Sequence, residues 1–182
     1  VGRVDFAAGP RRTERRIDAA IIQSVAAEQP LQPLDAGDEP APAPGSLGVV
    51  LSIKPRFAEL IARGEKRVEF RRRFAACHAG CRVWFYASTP ARVVRVSARV
   101  ARVVHARPDR LWRDYRACGG VGRAEFDAYF EGCARGAALE LTDAAELSTP
   151  RDLAWLRRRG FVPPMSYRVI RGDEAWARAI AV

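Results

Sequence analysis

Only two of the chain's 31 basic lysine and arginine residues are lysines, and both fall in one stretch, "LSIKPRFAELIARGEKRVEFRRRF". They are Lys54 and Lys66. Arginine stays charged at any working pH, whereas lysine is a compact point charge whose pKa falls readily on desolvation. A chain that writes arginine elsewhere and keeps lysine here points to a phosphate contact or a catalytic amine. The plainer reading of Lys66 is a strand-edge lysine paired with Glu65 or Glu69. Glu69 could orient a base edge or activate water, or it could form an exposed cross-strand pair worth little. Arg71, Arg72 and Arg73 follow as a run leaving a strand. Three guanidinium groups in a row cannot all be buried, which makes them phosphate contacts or a solvated turn. Ser88, and Ser166, Tyr167 and Arg168 after Pro163-Pro164, stand at strand ends. Hydroxyls there can hydrogen-bond, and a tyrosine ring can stack on an unpaired base.

Charge favours the same class of partner. The formal net charge is +10 and the pI near 10.4. Residues 1–46 hold five Arg against seven Asp and Glu, so the excess belongs to the remainder of the chain. A domain so basic favours a polyanion, most simply nucleic acid; liberal use of arginine to solvate a surface is the competing explanation. The four cysteines, Cys77, Cys81, Cys118 and Cys133, lack the two tight ligand pairs of a structural zinc site and read as reduced thiols. His78 and His105 have no neighbouring pattern of a catalytic triad. No cofactor and no metal is expected. Neither a membrane-spanning run nor a signal peptide is legible, so a cytoplasmic monomer is the expectation.

These residues need elements to position them. Residues 1–46 read as a flexible tail, with one short helical pattern around Ile17, Ile21 and Val25 and then five prolines within residues 30–44. The folded domain is expected over 47–182. "VVLSI" suits a buried strand, and Pro55 with Phe57, Leu60 and Ile61 gives a short helix that Gly64 can cap in the left-handed conformation. "KRVEFR" alternates, setting Glu69 and Arg71 on one face with Arg67 and projecting Lys66 towards a cleft. "RVWFYAS" is a strand stopped by Thr89-Pro90. "RVVRVSARV" puts Val94, Val96, Ala98 and Val100 on one face, with a parity slip at Ala101-Arg102 that suggests a bulge. Two short helices broken at Gly119-Gly120 follow, then a strand at "GAALEL". A helix starting at Thr149-Pro150 comes next, and "SYRVI" supplies the last strand before a short helical tail. The sum is α+β: a small, mixed, partly closed barrel with short helices around its mouth. A helix-turn-helix over 108–131 is the weakest alternative, because its second helix is apolar where it packs and carries Glu125, Asp127 and Glu131 outward.

The blocks "LSIKPRFAELIARGEKRVEFRRR", "VWFYASTP", "RLWRDYRACGGVGRAEFDAYFEG" and "PPMSYRVI" resemble, in that order, the ASCH domain of the PUA-like superfamily. They are closest to its archaeal, phage and bacterial members with a G-x-K-x-x-E-F-R core. The resemblance covers roughly residues 49–171. It implies a PUA-like β-barrel with a cleft, a helix overhanging its mouth, and recognition of RNA or a nucleotide-like ligand. Within the family, a bacterial acetylcytidine amidohydrolase uses the lysine and threonine of a G-x-K-x-x-T motif with a distant glutamate. Lys66 matches that lysine, but Glu69 stands where the threonine would be, and a carboxylate is neither the same nucleophile nor the same donor. Glu125 and Glu131 both remain open as the distant glutamate. Ribonuclease activity is also suggested within the family, and Lys66 with Glu69 could supply its cation and base. Binding of RNA by a basic cleft around Lys66, Glu69 and Arg71 is therefore the leading expectation, with a small hydrolase as the alternative.

Overall fold

A computed structural model describes residues 46–180; the expectations for residues 1–45 lie outside them. Strand β1 (Ser46–Ile53) runs into helix α1 (Pro55–Ala62), and β2 (Val68–Arg71) and a single 3-10 turn (Ala76–His78) follow. Strands β3 (Arg82–Ala87) and β4 (Val93–Ala106) lead to helices α2 (Pro108–Tyr115) and α3 (Arg123–Tyr129). The long β5 (Gly136–Asp152), α4 (Leu153–Arg157), β6 (Tyr167–Arg171) and α5 (Ala175–Arg178) complete the order.

The strands form one six-stranded sheet in the order β2-β5-β4-β3-β1-β6. β1 and β3 are parallel and every other neighbouring pair is antiparallel. The parallel pair needs a crossover, and α1 at its start packs Ala58 and Ile61 into the main core. That core takes Val49, Leu51 and Ile53 from β1, Val83 and Phe85 from β3, Val96, Ala98 and Val100 from β4, and Leu139 and Leu141 from β5. The other face of β1 and β3 is covered too. Val50, Trp84, Tyr86 and Ile170 pack against Leu153, Leu156, Phe161 and Trp176. A strand buried on both faces reads as a continuous apolar run, which is why "VVLSI" shows little alternation. A third cluster joins Val68 and Phe70 of β2 to Leu111, Phe126 and Phe130, seating the α2–α3 pair on the sheet.

Bulges curl the sheet. The β3–β4 register shifts between Phe85 and Tyr86, pairing Phe85 with Val96 and Tyr86 with Val94. Arg95 is the additional residue, so Val94 turns to the second cluster while Val96 stays in the main core. This corrects the expectation of one face for both: period two fails across an inserted residue. A further shift between Val100 and Arg102 in the β4–β5 register coincides with the expected parity slip. The curl brings the two edge strands together. Arg71 of β2 donates to the Ser52 carbonyl of β1, next to the far edge, at 2.6 Å, and Phe74, three residues beyond β2, packs at a tilt against Tyr167 of β6 with ring centroids 4.6 Å apart.

Two boundaries differ from expectation. Thr149 and Pro150 belong to β5, whose pairing of Val93 with Asp152 and Val94 with Arg151 holds the chain extended. Asp152 caps α4 instead, accepting from the Trp155 amide at 2.7 Å. β2 begins at Val68, two residues after Lys66, and all four of its residues are buried.

Candidate nucleic-acid interface

Lys66 lies on the inside. Gly64, at φ +72°, ends α1 as expected, and the amides of Glu65 and Lys66 return to the Leu60 carbonyl. The side chain of Lys66 is left only 2% exposed. Its ammonium donates to the carbonyls of Val68 at 2.8 Å and Gly119 at 2.5 Å, with the Glu69 carboxylate 3.1 Å away. The rings of Phe57 and Phe70 flank it, with centroids 4.8 and 5.6 Å from Nζ. Gly119 is required here, since a Cβ would lie 2.4 Å from the Phe70 ring. Expected to project into a cleft, the ammonium is instead enclosed between β2 and the α2–α3 loop. The enclosure explains the choice of lysine. Two carbonyls and a carboxylate converge on one point, which suits a compact ammonium and not a planar guanidinium.

Glu69 and Arg71 extend the cluster. The Glu69 carboxylate lies 3.1 Å from both Lys66 Nζ and Arg71 Nε, and both carboxylate and guanidinium are largely buried. Neither contact of the carboxylate has the alignment of a hydrogen bond. Arg71 Nε is consequently an enclosed donor held by an ion pair alone, and the guanidinium's one directed bond among the described residues goes from Nη2 to the Ser52 carbonyl. Two cations thus share one anion beneath the surface. Burying a charge without a full complement of partners is costly.

The remaining candidate residues divide. Arg72 is half-buried, donating from Nε to the Tyr129 carbonyl at 2.5 Å, while burial pushes the Tyr129 hydroxyl pKa up. Arg73 is exposed. Ser166 accepts from the Ser52 amide at 3.0 Å, and the Ser52 hydroxyl donates to the Pro164 carbonyl at 2.6 Å, tying this loop to the strand that receives Arg71. Tyr167 packs its ring against Phe74 and, at 5.8 Å, against His78. Ser88 is half-buried beside the end of β1, its amide donating to the Ile53 carbonyl at 2.9 Å. Lys54 is exposed and paired with Glu125 at 2.9 Å. Arg168 stands apart. It shares the opposite face of β6 with the second cluster and binds Glu174 at 2.9 and 2.8 Å. A shallow depression lined by Arg168, Val169, Arg171, Asp173 and Glu174 belongs to that side.

Sequence reasoning missed Ser52 and Phe57. Ser52 was legible only as the polar break in an apolar run, and Phe57 read as a core position of α1. Glu125, weighed as a distant glutamate, reaches Lys54 and Arg56 instead.

No known family profile matches the chain. A Zymomonas mobilis protein named ASCH domain-containing ribonuclease is 33% identical over 127 residues, covering 69% of this chain and 85% of that protein. The crystal structure of ASCH from Zymomonas mobilis matches with a TM-score of 0.68 at 30% identity, over 73% of this chain and 94% of that one. A serine-to-alanine variant of that protein matches at 0.67 and 30% identity, over 75% and 96%. With sequence and fold agreeing over most of the relative's length, the chain belongs to the ASCH-domain family.

Proposed function

We propose that this chain binds RNA, with a backbone phosphate seated against the guanidinium of Arg71 at the end of the Lys66–Glu69–Arg71 cluster. The observation that carries the reading is the charge imbalance, two cations to one carboxylate, ending at the guanidinium of Arg71, whose side chain is 9% exposed. A phosphodiester brings the missing negative charge. Arg73, exposed, and Arg72, half-buried, continue the basic surface for flanking phosphates. Ser166 and Tyr167 stand on the opposite edge strand, where they can meet a base. Lys66 acts by holding Glu69 and the Gly119 loop in place.

The test is binding of a labelled mixed-sequence RNA at two salt concentrations. Affinity should fall steeply with salt by counterion release. Arg71→Met should weaken binding by about tenfold, the size of one charge-assisted hydrogen bond. Salt-insensitive binding, or an unchanged Arg71→Met, would sink the reading.

A second reading, cleavage of the bound RNA, is favoured by the relative named as a ribonuclease. Here Arg71 would stabilise charge developing on the phosphate and Glu69 would serve as base. Intact RNA after prolonged incubation under conditions that saturate binding would remove this second reading and leave the first.

A further inference from the structure

A second basic cluster lies at the amino end of α1. Lys54, the residue before the helix, has a side chain 64% exposed, and that of Arg56 is 54% exposed. Both turn to one carboxylate, Glu125, in the first turn of α3. Lys54 Nζ reaches Oε1 at 2.9 Å, and Arg56 Nη2 contacts both carboxylate oxygens. Burial raises the Glu125 pKa, but hydrogen bonds from Arg56 and Lys54 outweigh it and hold the carboxyl below its ordinary value. A lysine and an arginine clamping two oxygens of one anion is an arrangement that also suits a phosphodiester.

This cluster adjoins the buried one. Arg56 lies over the Phe57 ring at 4.5 Å, and Lys66 Nζ lies 4.8 Å from the same ring centroid. Along the chain, the Ser52 carbonyl that receives Arg71 is two residues before Lys54, roughly 7 Å of extended backbone. One strand end therefore carries both the carbonyl that receives Arg71 and, two residues on, Lys54.

We propose that Lys54 and Arg56 form a second phosphate subsite, for the backbone phosphate next to the one at Arg71, and that Glu125 fills it in the free protein as an internal stand-in for phosphate. The inference rests on the RNA-binding reading above. An RNA chain entering the site displaces Glu125, releasing the amino end of α3 from α1. A single small anion has only one attachment with which to compete, whereas a polyanion held at Arg71 delivers its next phosphate at high effective concentration. The carboxylate thereby favours chains of phosphates over lone ones.

Fluorescence anisotropy with a labelled oligouridylate provides the test, using the full chain. Glu125→Gln removes the competitor and should tighten binding by about two- to fivefold, the range of an exposed ion pair. It should also steepen the salt dependence by about one phosphate equivalent. Combining Glu125→Gln with Lys54→Ala and Arg56→Ala should abolish that gain. Glu125→Gln binding with wild-type affinity and salt slope, while Arg71→Met weakens binding, would overturn the inference and leave the RNA-binding reading standing. Gain surviving in the triple variant would also overturn it. No salt-sensitive binding by the wild type at all would remove both.

Discussion

Two arginine–glutamate clusters sit on opposite sides of the β1–β6 edge, and they are built from the same residue types. Around Glu174 every bond is directed. One carboxylate oxygen accepts from Arg168 at 2.9 Å and from the Arg171 amide at 2.9 Å; the other accepts from Arg168 at 2.8 Å and from the Trp176 indole at 2.6 Å. The Arg168 guanidinium also lies over the Trp176 ring at 5.1 Å. Around Glu69 there are two cations, one carboxylate, and ion-pair contacts without hydrogen-bond alignment. The first cluster is complete and locks α5 to β6. The second is more deeply buried, yet has positive charge to spare. The arginine–carboxylate pair at Glu174 is thus satisfied within the fold, whereas the cluster at Glu69 carries a surplus positive charge.

That contrast is open to attack by substitution, beginning with the carboxylates. Glu69→Gln leaves Lys66 and Arg71 buried without an anion and should destabilise the fold by about 3–5 kcal/mol, as breaking a buried pair does. Glu174→Gln keeps the side-chain shape and some acceptors, and should cost about 1–2 kcal/mol. Urea unfolding of both variants checks the ranking, and equal losses would erase the distinction between an open and a closed cluster. Lys66→Arg comes next. The enclosure fits an ammonium, so the larger planar group should cost about 1–3 kcal/mol through overpacking, even though the charge is kept. Wild-type stability in Lys66→Arg would mean that charge alone matters there. Smaller still is the effect on binding: Arg71→Met should lose about tenfold in RNA affinity, whereas Arg168→Met should lose stability and leave affinity unchanged. A reversed pattern would move the site to the other face.

Much of this architecture was legible because local signals agree with the fold. Pro55, the Phe57–Leu60–Ile61 stripe and Gly64 bound α1 as their chemistry requires, and the parity slip at Ala101-Arg102 marks an actual register shift. The bulge at Arg95 was not legible. Arginine on a half-exposed strand is compatible with either face, so nothing in "RVVRVSARV" says which residue is surplus. Nor could the sequence place Lys66. Its inward turn depends on the Gly119 carbonyl, which comes from a loop far along the chain. For the same reason Arg168 looked equivalent to Tyr167, although neighbours on a strand necessarily face opposite ways and Glu174 claims one of them.

The finest probe of the comparison is pH. The Glu174 carboxyl is held down to about 2 from 4.5: burial raises it, but the Arg168 hydrogen bonds, the Arg171 amide and the Trp176 indole outweigh that. A carboxyl whose folded pKa is depressed contributes stability that is whole above its unfolded value. The contribution fades as pH falls from 4.5 towards 2. Wild type should therefore be more stable than Glu174→Gln at neutral pH, with the gap closing across that acid window. Other carboxylates titrate in both proteins and cancel in the difference, so the gap isolates this one group. Since Arg168 is already committed to Glu174, adding RNA should not alter how the gap closes. A gap that stays constant down to pH 2 would mean that the four directed bonds do not favour the charged form, and the closed cluster would lose its physical basis.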